Sequence, residues 1–211
     1  MRVLVAGANG QVGQHIVRLL AERGHEVRAM IRDEDQAQRL RELGGEPVVA
    51  DLEGDVSQTV EGCDAVIFSA GGGPGSGPEK KETVDYGGAS KLINAATEHG
   101  VNRYLMVSTV GAHAPESANE KMQPYLRAKA RADEELKQSG LDYTIVRPGP
   151  LTDNAGTGCI DASTELGRRK EIPREDVART MVAALEERNT LGKTFEVLAG
   201  DTPINEALER L

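Results

Sequence analysis

The chain has 211 residues, enough for one domain with a full core, and it leaves no room for a second domain of ordinary size. With 25 Lys and Arg against 34 Asp and Glu the formal net charge is -9, which argues against nucleic acid or an anionic membrane surface as partner unless the few bases gather on one face. Two Phe, four Tyr and no Trp are too few for a base-stacking platform.

Cys63 and Cys159 make no metal spacing and no disulfide framework, so a reduced, cytoplasmic protein is expected. The first residues, Met1 to Gly7, hold a short apolar run that stops at glycine, and no run of about eighteen apolar residues occurs, so neither a signal peptide nor a membrane span is expected.

Short apolar runs recur in chain order at Val3 to Ala6, Val27 to Ile31, Pro47 to Ala50, Ala65 to Phe68, Tyr104 to Val107, Tyr143 to Val146 and Phe195 to Leu198. Each reads as a strand apolar on both faces. Between them lie amphipathic stretches at Gln11 to Arg23, Glu34 to Leu43, Lys80 to His99, Gln123 to Ser139 and Arg174 to Glu187. This alternation predicts an α/β, Rossmann-type three-layer sandwich whose parallel sheet has about seven strands. Gly24, Gly44-Gly45, Gly100 and Gly140 stand where helix C-caps are wanted. Two segments break the pattern: a Gly/Pro/Ser loop from Ser69 to Pro78, and a polar stretch from Pro148 to Lys170 with one short strand near Cys159. We read residues 1–211 as a single domain with a small substrate-side insertion near 150–172.

The most informative motif is Gly7-Ala8-Asn9-Gly10-Gln11-Val12-Gly13, three glycines in a GxxGxxG spacing between the first strand and the first helix. A turn without side chains lets backbone N–H groups and the helix dipole approach a pyrophosphate, so Gly7, Asn9, Gly10, Gln11, Val12 and Gly13 are candidate dinucleotide contacts. At the end of the second strand stands Arg32, whose guanidinium suits a 2′-phosphate, although Asp33 follows it directly. NADP is therefore favoured, with NAD as the alternative, and a merely solvated Arg32 is the competing reading. Asp51 and Leu52 follow the third strand, where Asp51 can cap the next turn or bond the adenine amino group. Ala70 and Gly71 form a small-residue edge after the fourth strand that would let backbone approach the cofactor.

Tyr125 and Lys129 stand four apart at the start of a predicted helix, on one face. An ammonium beside a phenol favours the phenolate and makes the tyrosine a usable acid or base, and the same lysine can hold ribose hydroxyls. Ser108 and Thr109 end the fifth strand at the crevice, where one of them can bind a carbonyl oxygen; the period alone does not say which. His15, His25, His99 and His113 show no ligand spacing, so no metal is expected, and no GxSxG elbow supports a hydrolase.

Taken in order, Gly7 to Gly13, Asp51-Leu52, Val107-Ser108-Thr109, Tyr125 with Lys129, and Tyr143 to Gly149 resemble the atypical short-chain dehydrogenase/reductase superfamily. More narrowly the chain is similar to its small NAD(P)-binding, epimerase/dehydratase-like members of the NmrA and biliverdin reductase B type. The resemblance runs through most of the chain, since Ile172 to Ala178 matches that group's late helix. It implies that Tyr125 is the proton donor or acceptor, Lys129 its partner and a ribose ligand, Thr109 (with Ser108 as alternative) the carbonyl-oxygen partner, and Pro148 part of the nicotinamide pocket. It further implies an NAD(P)-dependent oxidoreductase acting on a small carbonyl- or alcohol-type substrate. A non-catalytic, NADP(H)-binding redox sensor is the alternative. Sugar epimerase or dehydratase activity is less favoured, because only residues 149–211 follow Pro148 and because Asp85 stands where extended members carry Asn.

Overall fold

The computed structural model describes residues 1–73 and 77–211, so part of the Ser69 to Pro78 loop lies outside the described residues. The amino-terminal half runs β1 (Arg2–Ala6), α1 (Gln11–Glu22), β2 (Glu26–Ile31), α2 (Ala37–Glu42), β3 (Gly45–Val49) and β4 (Ala65–Phe68). Then follow α3 (Pro78–Lys80), a π-helical turn (Lys81–Gly88), α4 (Ala89–Glu98), β5 (Arg103–Val107), α5 (Gln123–Gln138) and β6 (Asp142–Pro148). The remainder comprises β7 (Leu151–Thr152), β8 (Cys159–Ser163), β9 (Ile172–Pro173), α6 (Arg174–Glu186), β10 (Lys193–Ala199), β11 (Thr202–Pro203) and α7 (Ile204–Glu209).

The main sheet is a Rossmann-type one, wider than the seven strands expected. Among the described residues its nine strands lie in the order β11-β8-β10-β6-β5-β4-β1-β2-β3, and β7 pairs separately with β9. From β3 to β10 the strands are parallel, with Val3 opposite Val27 on one side and Ala65 on the other; β8 and β11 extend the sheet antiparallel. The strands missed by the sequence pattern, β7, β9 and β11, are two residues long and carry no readable period.

Burial on both faces explains the apolar runs. In β1, Val3 and Val5 enter the core shared with α1, α2 and α6, while Leu4 and Ala6 enter the core under α4 and α5. The same alternation recurs in β4 and β5, where Ile67 and Leu105 face one layer and Phe68 and Met106 the other. Gly24, Gly44, Gly100 and Gly140 close α1, α2, α4 and α5 with φ of +78°, +88°, +70° and +80°, the left-handed C-cap conformation.

Two expected helices differ in detail. Glu34–Gln36 is a 3-10 turn that precedes α2. The expected helix from Lys80 to His99 is interrupted by the π-helical turn Lys81–Gly88. A π turn inserts a residue and shifts the inward face, so Asp85 is buried and Gly88 packs where a Cβ would lie 2.9 Å from Leu52 Cβ.

Candidate functional site: a crevice at the carboxyl ends of the strands

β1 lies between β2 and β4, so the strand order reverses beside it and a crevice opens at the carboxyl ends of these strands. The cavity there is about 300 Å³ and is lined by Gly7, Asn9 and Gly10, by Arg32 and Gln36, by Asp51 to Glu53, and by Ser69 to Gly71. The three glycines have separate duties. Gly7 turns the chain with φ of +80°, and a Cβ on it would lie 2.7 Å from the Ala70 backbone. Gly13 lets α1 pack down on the turn, since its Cβ would lie 2.1 Å from the Gly7 carbonyl oxygen. Gly10 is the exposed N-cap of α1 and supplies no side-chain cap, and the first helical turn carries no acid. The amino end of α1 is therefore a bare, partially positive rim. Ser69 adds a buried hydroxyl without a hydrogen-bond partner among the described residues. A glycine-lined turn, an uncapped helix start and an orphaned hydroxyl fit the pyrophosphate and ribose of a dinucleotide.

At the β2 end, Arg32 is exposed and its Nε donates to Asp33 Oδ2 at 3.4 Å, while its backbone N–H donates to Gln36 Oε1 at 3.3 Å. Gln36 was not singled out by sequence. Asp51 performs the capping role, with Oδ1 accepting from the Glu53 N–H at 2.9 Å, and it also faces the cavity. The Leu52 to Gly54 carbonyls all accept hydrogen bonds from Lys91 Nζ, which fixes the loop. Of the phosphate-loop side chains, Gln11 donates to Asp153 at 3.2 Å, and Asn9 accepts from Gln14 through its carbonyl at 2.9 Å; Val12 is buried in the core.

The second half of the crevice is built from β4, β5 and α5. Lys129 is buried, and its Nζ donates to the carbonyls of Ala70 (3.3 Å) and Val107 (3.2 Å) while facing Asp85 Oδ1 at 3.5 Å. Its ammonium thus makes two hydrogen bonds to backbone carbonyls and one ion-pair contact, Asp85 Oδ1 has no hydrogen-bond partner among the described residues, and no hydrogen bond joins Lys129 to Tyr125 there. Tyr125 is half-buried one helical turn earlier, with Lys81 Nζ 5.2 Å from its ring centroid. The two hydroxyls differ in burial: Ser108 donates to Asp133 Oδ2 at 2.9 Å inside the core, whereas Thr109 is half-buried just past the end of β5. Pro148 is buried at the end of β6 and lies apart from the cavity lining of the β1 to β4 half.

Sequence reasoning missed the burial and contacts of Asp85, noted there only for standing where extended members carry Asn, and those of Asp133 and Arg147. Asp85 accepts from the Gly72 N–H at 2.9 Å, and a Cβ on Gly71 would lie 2.8 Å from its Oδ1. Asp133 Oδ2 also accepts from Arg147 Nε (3.0 Å) and Nη2 (2.9 Å). Burial pushes the Asp133 carboxyl above the ordinary aspartate range, against the pull of Arg147 and Ser108. A charged residue at an apolar helix position was the available signal for Asp133. Among the described residues no helix is long and apolar enough to cross a membrane.

A family model described as NAD(P)H-binding matches residues 7–188. The uncharacterized sugar epimerase YhfK of Bacillus subtilis (strain 168) is 46% identical over 215 residues, with 100% of both chains covered. Among solved structures, a Bacillus halodurans protein named as an NAD-dependent epimerase/dehydratase superposes with a TM-score of 0.98 at 46% identity, covering 100% of both chains. The oxidoreductase ylbE of Lactococcus lactis gives 0.89 at 30% identity, covering 100% of this chain and 96% of that one. A short-chain dehydrogenase/reductase of Veillonella parvula DSM 2008 in complex with NADP shares the fold, with a TM-score of 0.76 at 17% identity over 97% of each chain. The family match starts at the first glycine of the turn and runs past α6, so it takes in the glycine turn, β4, β5 and α5: the chain belongs to the NAD(P)H-binding family.

Proposed function

We propose that the protein is an NADP-preferring oxidoreductase acting on a small carbonyl- or alcohol-type substrate. The observation that carries this reading is the seat of Lys129. Its bonds to the Ala70 and Val107 carbonyls fix the Tyr125 face of α5 over the carboxyl ends of β4 and β5, in line with the glycine turn. When bound, the dinucleotide supplies the hydride. Gly7, Gly10 and the first amides of α1 bind its diphosphate, Ser69 to Gly71 admit its backbone-hugging middle, and Arg32 meets a 2′-phosphate after leaving Asp33. Tyr125 holds or donates the proton at the substrate oxygen, and Thr109 hydrogen-bonds that oxygen. NADP over NAD is supported by Arg32 and by the cofactor in the Veillonella parvula relative of the same fold. The net charge of -9 supports a small molecule rather than nucleic acid or an anionic membrane as partner, and cysteines outside any framework support a cytoplasmic setting.

Tyr125→Phe is the test. Hydride transfer from NADPH should fall at least about 100-fold, with NADP affinity within about twofold; unchanged turnover removes Tyr125 from the mechanism. A second reading, a dinucleotide sensor without turnover, is favoured by one feature: Lys129 Nζ bonds two backbone carbonyls and faces Asp85, with no hydrogen bond to Tyr125 among the described residues. Epimerase or dehydratase chemistry, the activity in the names of two relatives, stands third.

A further inference from the structure

Charge matching along the crevice wall singles out one cation. α3, the π-helical turn and α5 carry Lys80, Lys81, Arg127, Lys129, Arg131 and Lys137. Lys80 pairs with Glu53, Arg127 with Glu116 at 2.7 Å, Lys129 with Asp85 at 3.5 Å, Arg131 with Glu82 at 2.5 Å and Lys137 with Glu134 at 4.0 Å. Lys81 alone of these six has no carboxylate among the described residues. Its Nζ donates to the Gly73 carbonyl at 2.9 Å and stands over the face of Tyr125. A carbonyl and a ring quadrupole orient an ammonium but do not neutralise it. In a chain of net charge -9, where the five other cations of these elements are matched, an unmatched ammonium on the half-buried Lys81 beside the reacting phenol is a receptor for a negative group from outside.

We propose that Lys81 is a substrate-recognition residue, and that the substrate carries a carboxylate close to the group that reacts at Tyr125. The buried Lys129 cannot serve this purpose, since its charge already faces Asp85 and its Nζ bonds the Ala70 and Val107 carbonyls inside the core. Arg127 and Arg131 hold their own acids. The carboxylate would form a charge-assisted hydrogen bond with Lys81 Nζ, over the face of the Tyr125 ring. This inference rests on the oxidoreductase reading and names the class of substrate for the same site.

The test uses two matched probe pairs, benzoate with benzamide and 4-oxopentanoate with 4-oxopentanamide. Each is titrated into the full chain with and without saturating NADP, followed by saturation-transfer NMR. At least one carboxylate should bind the NADP-saturated protein about tenfold more tightly than its amide. That preference should disappear in Lys81→Met and persist in Lys81→Arg, with NADP affinity unchanged in both. Equal binding of carboxylate and amide, binding of neither pair, or a preference that survives Lys81→Met overturns the proposal. A fall in NADP affinity in Lys81→Met equal to the fall in probe affinity also overturns it, because Lys81 would then be a cofactor contact. If the parent protein fails to bind NADP, the oxidoreductase reading fails with it; NADP binding without carboxylate preference defeats this inference alone.

Discussion

The ammonium of Lys129 lies 3.5 Å from Oδ1 of Asp85, and the two side chains are 5% and 1% exposed. Asp85 holds the Gly72 amide with its other oxygen, so one carboxylate ties the loop after β4 to α5 through the lysine. Because desolvation of both charges is already complete, removing either leaves the other buried without compensation.

Asp85→Asn and Lys129→Met should therefore each cost about 3 kcal/mol of stability, and the double variant should cost clearly less than the two together. Urea denaturation of the four proteins measures the coupling. Strictly additive losses would show that the pair contributes nothing beyond its separate contacts.

The glycine turn allows packing and ligand access to be separated. A Cβ at position 13 meets the Gly7 carbonyl at 2.1 Å, whereas one at position 10 meets it at 3.2 Å on the exposed side. Gly13→Ala should lower stability by about 3 kcal/mol as α1 is forced off the turn. Gly10→Ala should cost less than about 1 kcal/mol yet weaken dinucleotide binding at least about tenfold, by covering the helix start. Thermal denaturation together with NADPH fluorescence titration distinguishes them; equal affinities in Gly10→Ala and the parent would place the diphosphate elsewhere.

Arg32→Ala should weaken NADP about tenfold and leave NAD within about twofold, since a guanidinium gains only from the 2′-phosphate. Competition titrations with both nucleotides measure the ratio. Equal weakening rejects the 2′-phosphate role.

Acid stability should depend on Glu175, where Arg179 holds the carboxyl below its ordinary value of 4.5, aided by the Gly156 amide. The same side chain also bonds Arg18 of α1, so it joins α1 to α6. A depressed folded-state value means that the native state binds the proton less readily than the unfolded chain. The stabilisation is then complete above about 4.5 and is lost as pH falls through the lower folded value. Glu175→Gln should lose on the order of 1 kcal/mol at pH 7, and the difference from the parent should shrink as the pH is lowered below about 4.5. A constant difference from pH 7 to pH 3 contradicts this.

Much of this fold is legible in the chain because its strands are buried on both faces. Val3 to Ala6 and Ala65 to Phe68 are uninterrupted apolar runs for that reason, and Gly24, Gly100 and Gly140 mark helix ends. The phosphate turn was readable because its glycines obey a backbone rule that no distant residue can alter. What stayed hidden depends on tertiary placement. The π-helical turn that buries Asp85 leaves no period to read, and nothing in the chain says that Lys81 rather than Lys129 lies over the Tyr125 ring. Ser108 and Thr109 are chemically alike, and only the position of Asp133 on α5 sends the first inward.

Calorimetric titration of the purified chain with NADP, and then with NAD, bears most directly on the crevice. Saturable binding of one nucleotide per chain, tighter for NADP and diminished in Gly10→Ala, is the predicted result. Absence of binding heat and of fluorescence change with either nucleotide, oxidised or reduced, would contradict the assignment of the β1–α1 turn as a diphosphate site.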